Sequence, residues 1–279
     1  MTPATAIYNE DHLVHDLQQL GYHAQRIPEA PPKEQPDAIA QRGAETLLVE
    51  LKCKGDDEAF VTTIEQMANG DHHYDSRTIG LHGPWNRIVD KAVRQLRQHT
   101  QADTTIKLLA VVCEGMDPND QAAQLQQSLY GLRAITHDNS PIAPPECVLD
   151  IAAHRPIATL CYHFAPSLFA FHRHALAGVM LRVQGQWQLL ANALATDHDK
   201  LRASHLYAIA RNHQALIDPA DPTTLDHDQY VIDPRHNGET DPSALLRLAS
   251  KYQLSNPKTW TLPRHRIIGK AKPLTPSSA

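Results

Sequence analysis

Glu50 and Lys52 stand two residues apart in the apolar run TLLVELKCK, and Asp37, directly behind Pro36, precedes Glu50 with twelve residues between them. Side chains of an extended chain alternate between faces, so Leu48, Glu50 and Lys52 point one way while Leu47, Val49 and Leu51 point the other. If Asp37 lies on the neighbouring strand, the intervening residues suffice for a hairpin that returns Glu50 beside it. Two carboxylates and a lysine then converge at the end of a small sheet. Such a trio suits phosphodiester hydrolysis, in which a poor nucleophile attacks an anionic centre and an alkoxide leaves. Paired acids offer Mg²⁺ hard oxygen ligands, the cation neutralises phosphate charge and lowers the pKa of a water, and lysine orients that water or stabilises the transition state. The competing reading is a surface strand carrying a cross-strand ion pair.

The elements that must position these residues follow from periodicity and breakers. EDHLVHDLQQLGY sets Leu13, Leu17 and Leu20 on one helical stripe and stops at Gly21. YHAQRI reads as a strand, PEAPPKEQP as a break, DAIA as a second strand, QRGAE as a turn and TLLVELKCK as a third strand. From Gly55 to Pro84 the pattern weakens into a polar insertion containing DHHYDSR, with one short helix around Phe60 to Met67. WNRIVDKAVRQLRQHT is an amphipathic helix: Trp85, Val89, Ala92 and Leu96 share one face, and Arg87, Lys91, Arg94 and Gln98 share the other. TIKLLAVVCEG reads as a strand buried on both sides, NDQAAQLQQSLYGL as a helix and RAIT as a strand. DNSPIAPPE is a linker that places a boundary near residue 145. Beyond it VMLRVQGQWQLLANAL predicts a hairpin, LRASHLYAIARNHQAL and PSALLRLASKYQL predict helices, and the tail from about residue 269 is expected to be disordered.

The order helix, three strands, helix, strand, with Pro36-Asp37 followed by Glu50-Leu51-Lys52, resembles the PD-(D/E)xK nucleases, the restriction-endonuclease-like superfamily. The resemblance covers roughly the first half of the chain. It implies an α/β fold: a restriction-endonuclease-like core with a central mixed sheet flanked by helices over residues 1–145, and an additional α+β region over residues 146–279. It implies Asp37 and Glu50 as metal ligands, the backbone carbonyl of Leu51 as a third, and Lys52 as the catalytic lysine. Glu10 would be the first-helix acid that some members use for a metal, with Asp11 and Asp16 competing for that role. The polar residue that many members carry on the following helix would be Gln95. The implied activity is Mg²⁺-dependent nuclease, endonuclease or exonuclease, with Mn²⁺ as a substitute cation and DNA as the substrate. Many members dimerise to cut two strands, so a homodimer fits as well. The alternative is a non-cleaving nucleic-acid-binding or scaffold protein on the same fold.

The formal charge of −5 argues against binding nucleic acid through overall basicity, leaving a local basic face such as Arg87, Lys91 and Arg94 to contact phosphate or simply to be solvated. The longest apolar runs fall far short of a membrane span and the first residues lack a basic, apolar leader, so the expected location is cytoplasmic. Cys53, Cys113, Cys147 and Cys161 form no C-x-x-C pair and read as reduced core residues. Cys161-Tyr-His163 with His172-Arg-His174 has no zinc-motif spacing, and in a chain with 18 histidines packing and surface roles fit it better, as they do Asp71-His72-His73. No G-x-S-x-G elbow or Walker loop anchors another hydrolase class.

Overall fold

A computed structural model describes residues 8–28, 35–55, 73–79, 83–99, 105–115, 118–130, 133–136, 160–163, 170–224, 230–231, 239–260 and 262–268. Its centre is a seven-stranded mixed sheet. Helix α1 (Glu10–Gln19) leads into β1 (His23–Arg26), β2 (Ala38–Arg42) and β3 (Glu45–Lys54), three strands that run antiparallel in sequence. The predicted first helix buries Leu13 and Leu17, and Gly21 ends it at φ +85°, where a Cβ would lie 2.8 Å from the Arg42 guanidinium.

The β2–β3 hairpin closes through Gly43 and Ala44, with Arg42 paired to Glu45 and Gly43 at φ +57°. A turn this short fixes the register of everything behind it. After β4 (His73–Ile79), α2 (Gly83–Gln98) carries the chain back to β5 (Thr105–Cys113), which pairs parallel with β3. A parallel neighbour requires such a crossover, because the chain must return to the same end of the sheet. The insertion's described strand, β4, pairs antiparallel with β13 (Leu262–Ile268) from the far end of the chain. Its expected helix around Phe60 to Met67 lies outside the described residues, as do the 138–146 linker and the tail from 269.

Helix α3 (Pro118–Tyr130) and the small strands β6 (Arg133–Thr136) and β7 (Leu160–His163) follow. The main sheet then resumes with β8 (Gly178–Val183) parallel to β5, β9 (Gln186–Ala191) antiparallel to β8, and β10 (Leu216–Ile217) parallel to β9. Strands on both sides of residue 145 therefore contribute to one sheet, in the order β1-β2-β3-β5-β8-β9-β10. The expected β8–β9 hairpin is present. The helix expected over LRASHLYAIARNHQAL is two, α4 (His198–Arg202) and α5 (His205–Asn212), because Ser204 turns its hydroxyl onto the Tyr207 N–H and caps a new helix. Helix α6 (Asp241–Tyr252) follows β11 (Tyr230–Val231), and β12 (Lys258–Trp260) pairs with β6.

Helices cover both faces of the main sheet. On one, Leu13 and Leu17 of α1 and Leu206 of α5 pack with Leu47, Val49 and Leu108. On the other, Trp85 and Val89 of α2 and Leu125 of α3 pack with Leu48, Leu109 and Val111. That double cover explains the unbroken apolar sequence of β5, every residue of which except Lys107 is buried. Among the described residues no helix is long and apolar enough to cross a membrane.

Candidate active site at the ends of β2 and β3

The hairpin register decides where the acids meet. Ala38 pairs with Val49, so one step further along the same ladder Asp37 comes opposite Glu50. The main chain continues the ladder that far: the Asp37 N–H donates to the Val49 carbonyl at 3.1 Å, and the Ile27 N–H donates to the Asp37 carbonyl at 3.0 Å. Residues paired across strands share a face, so both carboxyl groups stand on one side of the sheet, within hydrogen-bonding reach of each other. Oδ2 of Asp37 also accepts the Leu51 N–H at 2.6 Å, which continues the strand's hydrogen bonding where β2 has ended.

Glu50 is fully buried. It lies on the Leu48 face, as alternation predicts, but helices cover that face too, so the carboxylate is enclosed where the sequence reading had it presented beyond the core. Its Oε1 is contacted by the Lys52 ammonium, which is partly open to solvent, and its Oε2 has no hydrogen-bond partner among the described residues. Burial drives the Glu50 pKa up, Lys52 opposes the rise and Asp37 adds to it, leaving the group at about 7. Burial likewise pushes Asp37 upward, against the Leu51 N–H and Lys52. A buried carboxylate with an orphaned oxygen facing a second carboxylate is an arrangement that costs free energy as it stands.

Asp37 and Glu50 offer the hard oxygen atoms that Mg²⁺ or Mn²⁺ takes, and the unpartnered Oε2 is a free ligand atom in the enclosed part of the site, so the residues fit a divalent cation. Among the described residues no three His, Cys, Asp or Glu side chains form a metal centre by themselves, so a cation here would draw its other ligands from main-chain oxygen, such as the Leu51 carbonyl, and from water.

Glu10, in the first turn of α1, is close enough to Asp37 to raise the latter's pKa, while its carboxylate also lies 3.7 Å from Arg26. The two competitors for its role are placed elsewhere. Asp11 pairs with Arg26 at 3.3 Å and is exposed; Asp16 accepts from the Tyr8 hydroxyl and the Trp187 indole, both at 2.9 Å. On α2, Arg87, Lys91 and Arg94 are exposed as expected. Gln95 is 8% exposed and its Oε1 has no partner among the described residues, so it belongs with the core-facing positions of that helix.

Sequence reasoning passed over Tyr8 and Glu114. Oε1 of Glu114 accepts the Tyr8 N–H at 3.2 Å, and the Glu114 N–H donates to the Lys54 carbonyl at 2.8 Å, so this acid closes the ends of β3 and β5. Its position just past a strand parallel to β3 was the available signal. Also unforeseen was a buried network around Asp218, whose carboxylate accepts from His198 Nε2 at 3.1 and 3.2 Å, from the Tyr207 hydroxyl at 2.8 Å and from the Ala220 N–H at 2.9 Å. Those partners hold the Asp218 pKa below the ordinary carboxylate range against its burial. A pocket of about 340 Å³ lies between β9 and α5, lined by Trp187, Leu189, Ile209 and His213 among others, and none of Asp37, Glu50 and Lys52 borders it. His172 and His174 are exposed, and Arg173 between them pairs with Asp90 of α2 at 2.5 Å.

No protein-family model and no curated protein matches this chain.

Proposed function

We propose that the chain is a divalent-cation-dependent nuclease that hydrolyses phosphodiester bonds, with DNA as the substrate and Asp37, Glu50 and Lys52 as its working residues. The observation that carries the reading is Glu50: fully buried, one oxygen unpartnered, a second carboxylate opposite and an ammonium in contact. A scaffold selected only for stability would replace such a group with an apolar one at no loss. The order α1, β1, β2, β3, α2, β5, with β3 antiparallel to β2 and parallel to β5, supports the likeness to the PD-(D/E)xK superfamily and its restriction-endonuclease-like core.

Asp37 and Glu50 would hold the cation, with the Leu51 carbonyl beside them. When bound, Mg²⁺ or Mn²⁺ supplies a Lewis acid that neutralises phosphate charge and acidifies water. Lys52 reaches the same carboxylate and retains solvent access, so its ammonium can turn from Glu50 toward a phosphate oxygen or a water as the negative charge on Glu50 is taken up elsewhere. Arg87, Lys91 and Arg94 place three positive charges on the outer side of α2, which follows the site in the chain and packs on the Glu50 face of the sheet.

The direct contact between Lys52 and Glu50 favours one rival, a non-cleaving nucleic-acid-binding or scaffold protein in which the two simply neutralise each other. Incubating the protein with plasmid, linear and single-stranded DNA and with RNA, in Mg²⁺, Mn²⁺ or EDTA, separates them. Cation-dependent cleavage abolished by Asp37→Ala and by Lys52→Ala is the expected result. Cleavage that survives both substitutions would remove the site assignment, and a protein that binds nucleic acid without cutting any substrate would establish the rival.

A further inference from the structure

The start of α1 is held by a clamp that catalysis by Asp37, Glu50 and Lys52 does not require. Tyr8, two residues ahead of Glu10, is 5% exposed and engages each of its polar groups. Its N–H donates to Glu114 at 3.2 Å, its carbonyl accepts from the Cys53 thiol at 3.3 Å, and its hydroxyl donates to Oδ2 of Asp16 at 2.9 Å. Cys53 adjoins Lys52, and Glu114 follows the strand parallel to β3, so the main-chain bonds tie the entry of α1 to the strand ends that carry the site.

The side chain reaches the other way. The same Asp16 oxygen accepts the Trp187 indole N–H at 2.9 Å and lies 3.5 Å from Nε of Arg182. The Arg182 guanidinium sits 4.7 Å over the Tyr8 ring, and the Trp187 ring meets that ring edge-on at 6.2 Å. One buried carboxylate oxygen thus joins α1 to the β8–β9 hairpin, with Tyr8 between them. Glu10 has no comparable fixing of its own: its pairing with Arg26 is 3.7 Å long and open to solvent on both sides, an interaction of small worth.

We infer that Tyr8 is a positioning residue, which through its hydroxyl bond to Asp16 fixes the first turn of α1 so that Glu10 is held toward Asp37 and strengthens cation binding there. This rests on the cation-binding reading of Asp37 and Glu50. It makes the β8–β9 hairpin, which lies two strands away from β3 in the sheet, part of what sets the site's affinity. Partners that orient a metal-binding group without touching the metal typically change affinity by about 10- to 100-fold.

The test is calorimetric titration of Mn²⁺ into the full chain and its Tyr8→Phe, Glu10→Gln, Tyr8→Phe/Glu10→Gln and Asp37→Asn variants. Tyr8→Phe keeps the ring and the main-chain bonds and removes only the link to Asp16. The expected result is a roughly tenfold loss for Tyr8→Phe and at least as large a loss for Glu10→Gln, with the double variant no weaker than Glu10→Gln alone. That non-additivity is what a merely structural tyrosine would not give. Wild-type affinity in Tyr8→Phe, or a loss that multiplies onto that of Glu10→Gln, overturns the inference. A wild type that binds no Mn²⁺, or binds it as well after Asp37→Asn, overturns the cation site itself; binding lost in Asp37→Asn but unchanged in Tyr8→Phe overturns only the clamp.

Discussion

Replacing Glu50 by glutamine should make the cation-free protein more stable at pH 8, and the size of the gain follows from the site. In the unfolded chain the Glu50 carboxyl titrates near the ordinary 4.5, and in the folded protein near 7, because burial penalises the charged form more than Lys52 relieves it. The folded state therefore holds the proton more tightly. The stability associated with this group is fully present below about pH 4.5 and is lost as pH rises through 7. Each tenfold change in proton affinity is worth about 1.4 kcal/mol, so ionised Glu50 costs the folded state about 3 kcal/mol above pH 8. Glutamine has nearly the same shape and no charge to desolvate. Part of the gain is returned because Lys52 loses its partner, but that ammonium is already one-quarter exposed and can be hydrated.

The assay is thermal and urea unfolding of wild type and Glu50→Gln at pH 8 and pH 5, in EDTA and then in Mg²⁺. In EDTA at pH 8 the variant should melt higher by roughly 4–10 °C, and at pH 5, where the wild-type group is itself largely protonated, the difference should shrink toward zero. Mg²⁺ should then raise the melting temperature of the wild type and leave the variant where it was, because only a ligand that binds the folded state shifts the equilibrium. A variant less stable than wild type at pH 8 without cation would refute the reasoning. It would mean that the ion pair with Lys52 more than offsets the burial of Glu50, and that the carboxylate belongs to the fold.

Lys52→Met should leave the Mn²⁺ affinity within a few-fold of wild type and slow cleavage of plasmid DNA by roughly 10²- to 10³-fold, a split read by calorimetry beside a gel assay. Neutralising Arg87, Lys91 and Arg94 together to glutamine should lower the slope of log affinity against log salt by about 2 to 3 for duplex DNA, measured by fluorescence anisotropy; an unchanged slope would assign that face to solvent. Asp218→Ala should destabilise the protein by about 3–5 kcal/mol in urea unfolding, because His198, Tyr207 and the Ala220 N–H lose a shared buried acceptor. It should leave Mn²⁺ affinity intact. Since the folded-state pKa of Asp218 is depressed, the wild-type network contributes fully above the unfolded value near 3.8 and is lost as pH falls through the lower folded value.

What could be read from the chain was what local rules decide. Leu13 and Leu17, Trp85 and Val89, and the Gly43 turn each announce their element through spacing or backbone freedom, and each stands where that spacing put it. The alternation of β3 was legible too, since Leu48 and Leu47 do pack on opposite layers. The burial of Glu50 was not. Alternation says which face a side chain takes, and only the packing of α2 and α3 onto that face decides whether it is wet. Tyr8, Asp16 and Glu114 were hidden for a related reason: Asp16 meets Trp187 across 171 residues, and Tyr8 meets Glu114 across 106, separations over which no periodicity carries information. The Asp218 network is of the same kind, assembled from α4, α5 and the turn after β10.

The feature that makes the candidate site readable is the shortness of the β2–β3 turn. With Arg42 opposite Glu45, every later pairing in that ladder is forced, and Asp37 must come opposite Glu50 because each strand is the same number of residues from the turn. One residue inserted beside Gly43 would leave two bad outcomes. Either the register slips by one, so that Glu50 faces a different residue and the carboxylates separate, or the turn absorbs the extra residue as a bulge and keeps them opposed. The Leu51 N–H biases the choice, since slipping would take the Asp37 carboxylate from the N–H that it holds at 2.6 Å and leave Glu50 buried beside no second ligand. The hydrogen bond that caps the strand and the pairing that builds the cation site are thus one constraint, carried by a single aspartate behind a proline.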